Sequence, residues 1–251
     1  MAKLSNSYKS DNLIQIAKQQ YETKQQKSIP AEIVTLTTKG QVYPIDSPLR
    51  EGKLEMRYMT AYDEDILTNA SYIKEGVTID KLLEALIVTP IEFSEIAEID
   101  KDSLILSARI LSYGSEYTVK VQDPKTKELL ERTVDLSKLK TKTLDIESDD
   151  KGEFLYETEK HAIKFKFPSV SSNTETISEY LSNVITEVNG KRKQSDIDHF
   201  IKYSFLIKES KEFQKYIIEN TPRVILEHEF EGEDGSTFTS RFQVGPDFFW
   251  I

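Results

Sequence analysis

"GKLEMRYMTAYDEDILTNASYIKEG", residues 52–76, changes its apolar period partway along, and that change decides the fold class. In the first half Leu54, Met56 and Tyr58 alternate with charged or longer residues. A period of two is the mark of a half-buried strand. In the second half Thr60 stands three residues before Asp63, a helix-start pattern in which a hydroxyl and a carboxylate cap free backbone N–H groups. Ile66, Ala70 and Ile73 then fall at i, i+4 and i+7, and Gly76 is suited to a left-handed helix end. A strand feeding directly into a helix, with no βαβ repeat around it, points to an α+β chain: a helical layer packed with short antiparallel strands.

The pattern extends outward on both sides. Upstream, "AEIVTL" (31–36) is rich in β-branched residues, and "TTKGQVYPIDSP" (37–48) is a turn region punctuated by Gly and Pro. Downstream, Thr78 is expected to cap "IDKLLEALIV", which Pro90 stops. "KDSLILSARILSY" (101–113) aligns Leu104, Ala108 and Leu111 on one stripe, closed by Gly114. The stretch from about 115 to 136 then reads as a protruding hairpin, with strands Tyr117–Val121 and Leu129–Val134 around a turn at Asp123-Pro124-Lys125. It looks like a zinc ribbon without its ligands.

The acidic run "LDIESDDKGE" (144–153) is the best boundary, dividing an α+β domain (29–148) from a second region (149–251) that can also be continuous with the first. In that region "HAIKFKFP" reads as a strand, and "TETISEYLSNVITEVNG" as a helix with Ile177, Tyr180, Leu181, Val184, Ile185 and Val188 on one face. Ser195 with Asp198 is expected to cap a further helix, and a helical stretch reaches about Ile218. A hairpin with Asp234-Gly235 at its turn follows. Residues 1–28 form a Lys-, Gln- and Ser-rich arm. Its Leu13, Ile14, Ala17 and Tyr21 have helical spacing, which suits either a frayed tail or a segment that orders on a partner.

Chemistry is hard to find in this sequence. Zero cysteines exclude disulfides and thiolate metal sites, and neither a metal nor another cofactor is expected. His161, His199 and His228 are scattered, with no i, i+4 pair among them. Phosphate-loop, GxGxxG and GxSxG patterns are absent. A net charge of −10 argues against broad phosphate neutralisation, so no nucleic-acid partner is expected. The compact basic run Lys191-Arg192-Lys193 reads as a solvated loop past a helix end. No run reaches membrane-span length, so no membrane partner is expected either, and no small-molecule substrate is indicated. A carboxylate-based hydrolase, which needs only Asp and Glu, is the enzyme alternative, yet no pair stands out among 43 acidic residues. The closing Phe248, Phe249, Trp250 and Ile251 carry more information. They either complete the chain's own core or dock a partner, and with Leu13, Ile14, Ala17 and Tyr21 they are the candidate partner-contact residues.

Taken in order, "TTKGQVYP", "GKLEMRYMTAYDEDILTNASYIKEGVTIDKLLEALI" and "DKDSLILSARILSYGSEYTVKV", with the terminal "PDFFWI", resemble the baseplate hub assembly subunits of T-even-like contractile-tailed bacteriophages. Arg57 through Ile73 is the most specific part. The resemblance implies a non-enzymatic structural or assembly component of the baseplate hub, partnered by other baseplate or tail proteins. Its location would be the host cytoplasm during assembly and the tail baseplate in the virion. A hub-assembly chaperone absent from the mature virion is the alternative within the same family. Members commonly carry a CxxC-like turn where this chain reads Gln122-Asp123-Pro124-Lys125-Thr126, so the hairpin must be held without zinc. Cross-strand pairs such as Tyr117 and Val119 against Leu129 or Leu130, and packing on the domain or a partner, are expected to hold it.

Overall fold

A computed structural model describes residues 29–170, 174–242 and 246–249 of the 251-residue chain. It is a mixed helix-and-strand protein built on small antiparallel sheets. Strand β1 (Ala31–Thr35) pairs with β2 (Lys53–Arg57) in the register Ala31↔Arg57 to Thr35↔Lys53. Leu54 and Met56 point into the core as the alternation requires, while Tyr58 is only half-buried. Arg57, on the other face, is also buried, which simple alternation does not anticipate.

The helix expected across 63–75 is two helices, α1 (Asp63–Leu67) and α2 (Ala70–Glu75). The break has a local cause. Asn69 sits in extended backbone and its side chain accepts the N–H groups of Ser71 and Tyr72, starting a new helix instead of continuing the old one. Gly76 closes α2 at φ 71°, as expected. Thr78 is not a cap: it is the first residue of α3 (Thr78–Leu86), and its buried hydroxyl has no partner. Helix α4 (Lys101–Tyr113) matches its expectation, ending at Gly114. Leu82, Leu83 and Leu86 of α3 and Leu104 of α4 are inaccessible to solvent and form the centre of this layer with Met56.

The loop between β1 and β2 is fastened from beneath. Asp100, just before α4, is fully buried. Its carboxylate accepts the Thr38 N–H, the Thr38 hydroxyl and the Tyr43 hydroxyl at 2.7–2.8 Å. Burial pushes the Asp100 carboxyl upward and, together with Asp100, the Tyr43 phenol upward as well. Gly40, at φ 84°, lies so close to Arg50 that a Cβ there would stand 2.2 Å from the Arg50 carbonyl oxygen.

Strands β3 (Glu116–Gln122) and β4 (Leu129–Asp135) form the expected hairpin, with a different set of partners: Tyr117 faces Val134, Val119 faces Arg132, and Val121 faces Leu130. The chain then places β5 (Thr141–Lys142), followed by a three-stranded sheet of β6 (Phe154–Glu157), β7 (Ala162–Phe165) and β8 (Ile185–Val188). That last strand corrects the helix expected through Gly190. The helix, α5 (Ile177–Val184), is shorter, and its continuation Ile185-Thr186-Glu187-Val188 is three-quarters β-branched and pairs with β7. Tertiary pairing here outweighs the helical apolar spacing. Ile177, expected on the apolar face, is exposed.

Helices α6 (Gln194–Tyr203) and α7 (Ile207–Asn220) follow. Ser195 does not cap α6, whose N-cap is Lys193. Asp198 instead accepts the Ser182 hydroxyl and the Gln194 side-chain amide, tying α6 to α5. Strand β9 (Arg223–Val224) returns to pair with β5, and β10 (Glu227–Glu231) with β11 (Thr237–Arg241) makes the second hairpin. Phe154, Phe165 and Phe213 form an aromatic centre under the three-stranded sheet.

Contacts run across the expected boundary near 148. Examples are the β5–β9 pair, a bridge between Ala97 and Ser169, and the Ile45 N–H on the Asp150 carbonyl at 2.8 Å. The basic run is also more than a solvated loop. It follows β8, and the Arg192 guanidinium forks onto Glu153 at 3.0 and 2.8 Å and reaches Glu187 at 2.7 Å.

Candidate interaction surface

Three features build the region around the hairpin and the C-terminal segment. The first is the turn of the β3–β4 hairpin. Asp123 is nearly inaccessible, and its Oδ1 accepts the N–H groups of Lys125 and Thr126 at 2.7 and 3.2 Å. An aspartate closing its own turn in this way organises the backbone locally, with Lys127 taking the left-handed conformation at φ 65°. The Asp123 carboxylate thus closes the turn by hydrogen bonding. Among the described residues no group of three or more His, Cys, Asp or Glu is arranged to hold a metal ion.

The second feature is the clasp between the two hairpins. The Lys125 ammonium lies 2.8 Å from the Asp234 carboxylate and 2.9 Å from the Ser236 hydroxyl. The Arg132 guanidinium donates twice to the Glu231 carbonyl, at 3.1 and 2.9 Å. The tips meet so closely that a Cβ on Gly232 would be 2.7 Å from the Asp123 carboxylate. Lys125 and Ser236 hold the Asp234 carboxyl far below the usual carboxylate range, while the adjoining Glu128 pushes the Glu233 carboxyl up. The β3–β4 hairpin is therefore packed within the chain itself, onto β10–β11.

The third feature is the seat of the C-terminal segment. Phe248 and Phe249 lie in a short 3-10 turn, 1 % and 2 % exposed. The Phe248 ring stands edge-on to Tyr117 of β3 at 4.6 Å, and its carbonyl accepts the Arg109 Nε–H at 3.1 Å. Arg109, only 6 % exposed, lies over the rings of Tyr113 (4.5 Å) and Tyr117 (5.7 Å). Burial draws its basicity down, and one terminal nitrogen has no hydrogen-bond partner.

Of the eight candidate contact residues, Phe248 and Phe249 are thus taken up by the chain's own core. Leu13, Ile14, Ala17, Tyr21, Trp250 and Ile251 lie outside the described residues. Two of the three histidines, His161 and His199, line one cleft of about 370 Å³ with Asp196. His199 lies tilted against Tyr203 within α6, and His228 lies in β10 against Phe230. His161 packs edge-on to Phe200 with its Nε2 3.6 Å from Glu209, at the side of a small cleft of about 210 Å³ lined also by Tyr156, Lys160 and Phe205. Lys160 holds the Glu209 carboxyl below its usual range.

Exposed apolar side chains occur here at Leu129 of β4 and also elsewhere. Tyr203, Leu206 and Ile207 project from the α6–α7 turn, and Tyr62 and Ile73 from the α1–α2 layer. Arg109 and Arg132 are not singled out by the sequence, and Asp123 is named there only as part of the turn. The one usable signal was Asp-Pro at the turn, a dipeptide that favours turn initiation.

The region thus consists of two clasped hairpins and a seated C-terminal segment. The family model described as "T4 bacteriophage base plate protein" matches residues 33–250, and the chain belongs to that family. No curated protein and no solved structure matches it. Membership points to a structural or assembly role in the phage baseplate, in contact with other baseplate proteins. Among the described residues no helix is long and apolar enough to cross a membrane.

Proposed function

We propose that this chain is a subunit of the baseplate hub of a contractile phage tail and acts through protein contacts rather than catalysis. The observation that carries the proposal is the family match over residues 33–250, which spans both hairpins, the helical layer and the C-terminal aromatic segment. The exposed Tyr203, Leu206 and Ile207 supply the kind of surface such contacts need, since apolar side chains clustered at one turn are unusual on a protein that stays alone. Trp250, Ile251 and the arm residues Leu13, Ile14, Ala17 and Tyr21, which lie outside the described residues, are further candidate contacts. The protein is made in the host cytoplasm and carried into the virion tail.

Quantitative mass spectrometry of purified virions, referenced to a known baseplate protein, tests this reading. A fixed copy number per particle is expected. Absence from virions, with the protein bound to hub components in infected cells, would replace the subunit by an assembly chaperone of the same family.

A further inference from the structure

We propose, resting on the contact role above, that the solvent-facing stripe of α7 receives an amphipathic helix of net negative charge from another baseplate protein. Helix geometry defines the stripe. At about 100° per residue, Ile207, Ile218 and Lys211 fall within about 40° of one another, with Lys215 and Lys208 about 40–60° further round. The buried Ser210, Phe213 and Ile217 lie the other way, toward the core. Ile207 is 76 % exposed and Ile218 63 %, so the stripe carries two apolar anchors. They stand about 16 Å apart along the axis, three turns of helix.

Charge selects the occupant. Lys208, Lys211 and Lys215 are exposed in this sector of α7, and none of the helix's carboxylates falls within it. Glu219 and Glu212 lie about 20–40° beyond Lys208. They reach Lys215 and Lys208 only at 3.6 and 4.0 Å, in exposed pairs that hold the lysines weakly. Lys211 forms no ion pair among the described residues. Lys202, over the Tyr203 ring at 5.2 Å, extends the cations to the end of α6 that leads into Ile207. In a chain of net charge −10 this is a local excess of positive charge. Hydrogen bonding selects the shape. The N–H and C=O groups of α7 are used within the helix, so a strand laid on it gains no backbone partner, whereas a helix arrives with its own backbone satisfied. Apolar residues three turns apart on that helix meet Ile207 and Ile218, and Asp or Glu between them meet the lysines. A phosphate backbone would use the lysines but give the two isoleucines nothing to bury against.

Photo-crosslinking of the full chain in infected cells tests this, with p-benzoylphenylalanine replacing Gln214, which lies about 20° from Ile207 on the same stripe. The crosslinked peptide, sequenced by mass spectrometry, is expected to come from one segment of another baseplate protein, with apolar residues three turns apart and an excess of Asp and Glu. Lys208→Glu with Lys211→Glu and Lys215→Glu is expected to lower the yield on the order of tenfold. Ile207→Ser with Ile218→Ser is expected to lower it as well, whereas Lys120→Glu with Lys138→Glu, exposed but off the stripe, leaves it unchanged. All these side chains are exposed, so the far-ultraviolet circular dichroism of each variant is expected to match the parent. A crosslink to a neutral or basic segment, a crosslink to a second copy of this chain, a yield insensitive to the charge reversal, or no crosslink would overturn the proposal. Each of those results leaves the subunit reading standing while the copy number in virions is fixed. Loss of the protein from virions, with the acidic crosslink retained, would instead remove the subunit reading and keep the docking stripe.

Discussion

Replacing Asp63 by Asn isolates the interaction that joins β2 to the helical layer. Arg57 and Asp63 form a forked pair with both N···O distances 2.8 Å, and their side chains are 6 % and 1 % exposed. The guanidinium also donates to the Ala85 and Tyr58 carbonyls, and the carboxylate accepts the Thr60 N–H and hydroxyl. Burial works against the charge on Asp63, but Arg57 and Thr60 together hold its carboxyl below the usual range. Asn keeps the shape and the Thr60 bond while leaving Arg57 buried beside an uncharged partner, which costs about 3–5 kcal/mol. For a chain of this size that is roughly a 6–20 °C fall in Tm. Arg57→Met should cost a similar amount, since it also strips two carbonyls of their donor. The double variant should cost less than the two singles together by about 2–3 kcal/mol, the coupling expected of one network.

Urea unfolding followed by far-ultraviolet circular dichroism reads all four corners of the cycle. A coupling below about 0.5 kcal/mol, the scatter for independent sites, would refute the assignment of the pair as a structural clip. The pH dependence gives a second reading. Because the folded-state pKa of Asp63 is depressed, its stabilisation is present above the unfolded value near 3.9 and disappears as pH falls through the folded value. Asp63→Asn should therefore flatten the acid limb of the stability curve below about pH 4.

Phe248→Ala should destabilise the chain by about 3–5 kcal/mol and speed amide exchange in β3, because the ring is buried against Tyr117; a loss under about 1 kcal/mol in urea unfolding would mean the segment is only loosely seated. Asp123→Ala should cost about 1 kcal/mol and raise exchange at Lys125 and Thr126, whose N–H groups lose their acceptor; unchanged exchange at those two amides would show that the turn closes without the carboxylate. Gly40→Ala combines a left-handed residue with a 2.2 Å approach to the Arg50 carbonyl, so it should cost more than about 1–2 kcal/mol; wild-type stability in the same urea assay would show that this loop relaxes freely.

The elements that were legible were those whose local chemistry and long-range contacts agree. In β2 and α4 the apolar period, the bounding Gly and the final burial coincide. The second hairpin was readable from Asp234-Gly235, and the first from its alternation and its Asp-Pro turn. Residues 177–188 show why the rest was not. Their apolar side chains satisfy a helix along the whole length, but β7 offers Ile185–Val188 a set of backbone partners that only a folded chain can present. The split at Asn69 was missed for the opposite reason. The signal is local, yet a side-chain oxygen competing for two N–H groups is invisible to a reading of apolar spacing.

Buried polar groups were the least legible, and here they carry the architecture. Asp100 reads as one more helix-start carboxylate until Thr38 and Tyr43, 62 and 57 residues away in sequence, are brought onto it. Arg57 reads as the solvated member of an alternating strand until Asp63 curls back to meet it. Both lie in stretches that carry the resemblance, which gives those stretches a physical meaning: they encode two buried polar fasteners, one under the β1–β2 loop and one between β2 and α1. An interaction surface has no comparable signature, because no reacting atom forces particular residue types into fixed spacing. The proposed contact residues Tyr203, Leu206 and Ile207 stand out only by a mismatch between a side chain and its exposure. That mismatch exists only once the fold has decided which apolar residues it leaves outside, so a sequence can name the family of an assembly subunit long before it can name the residues that touch its neighbours.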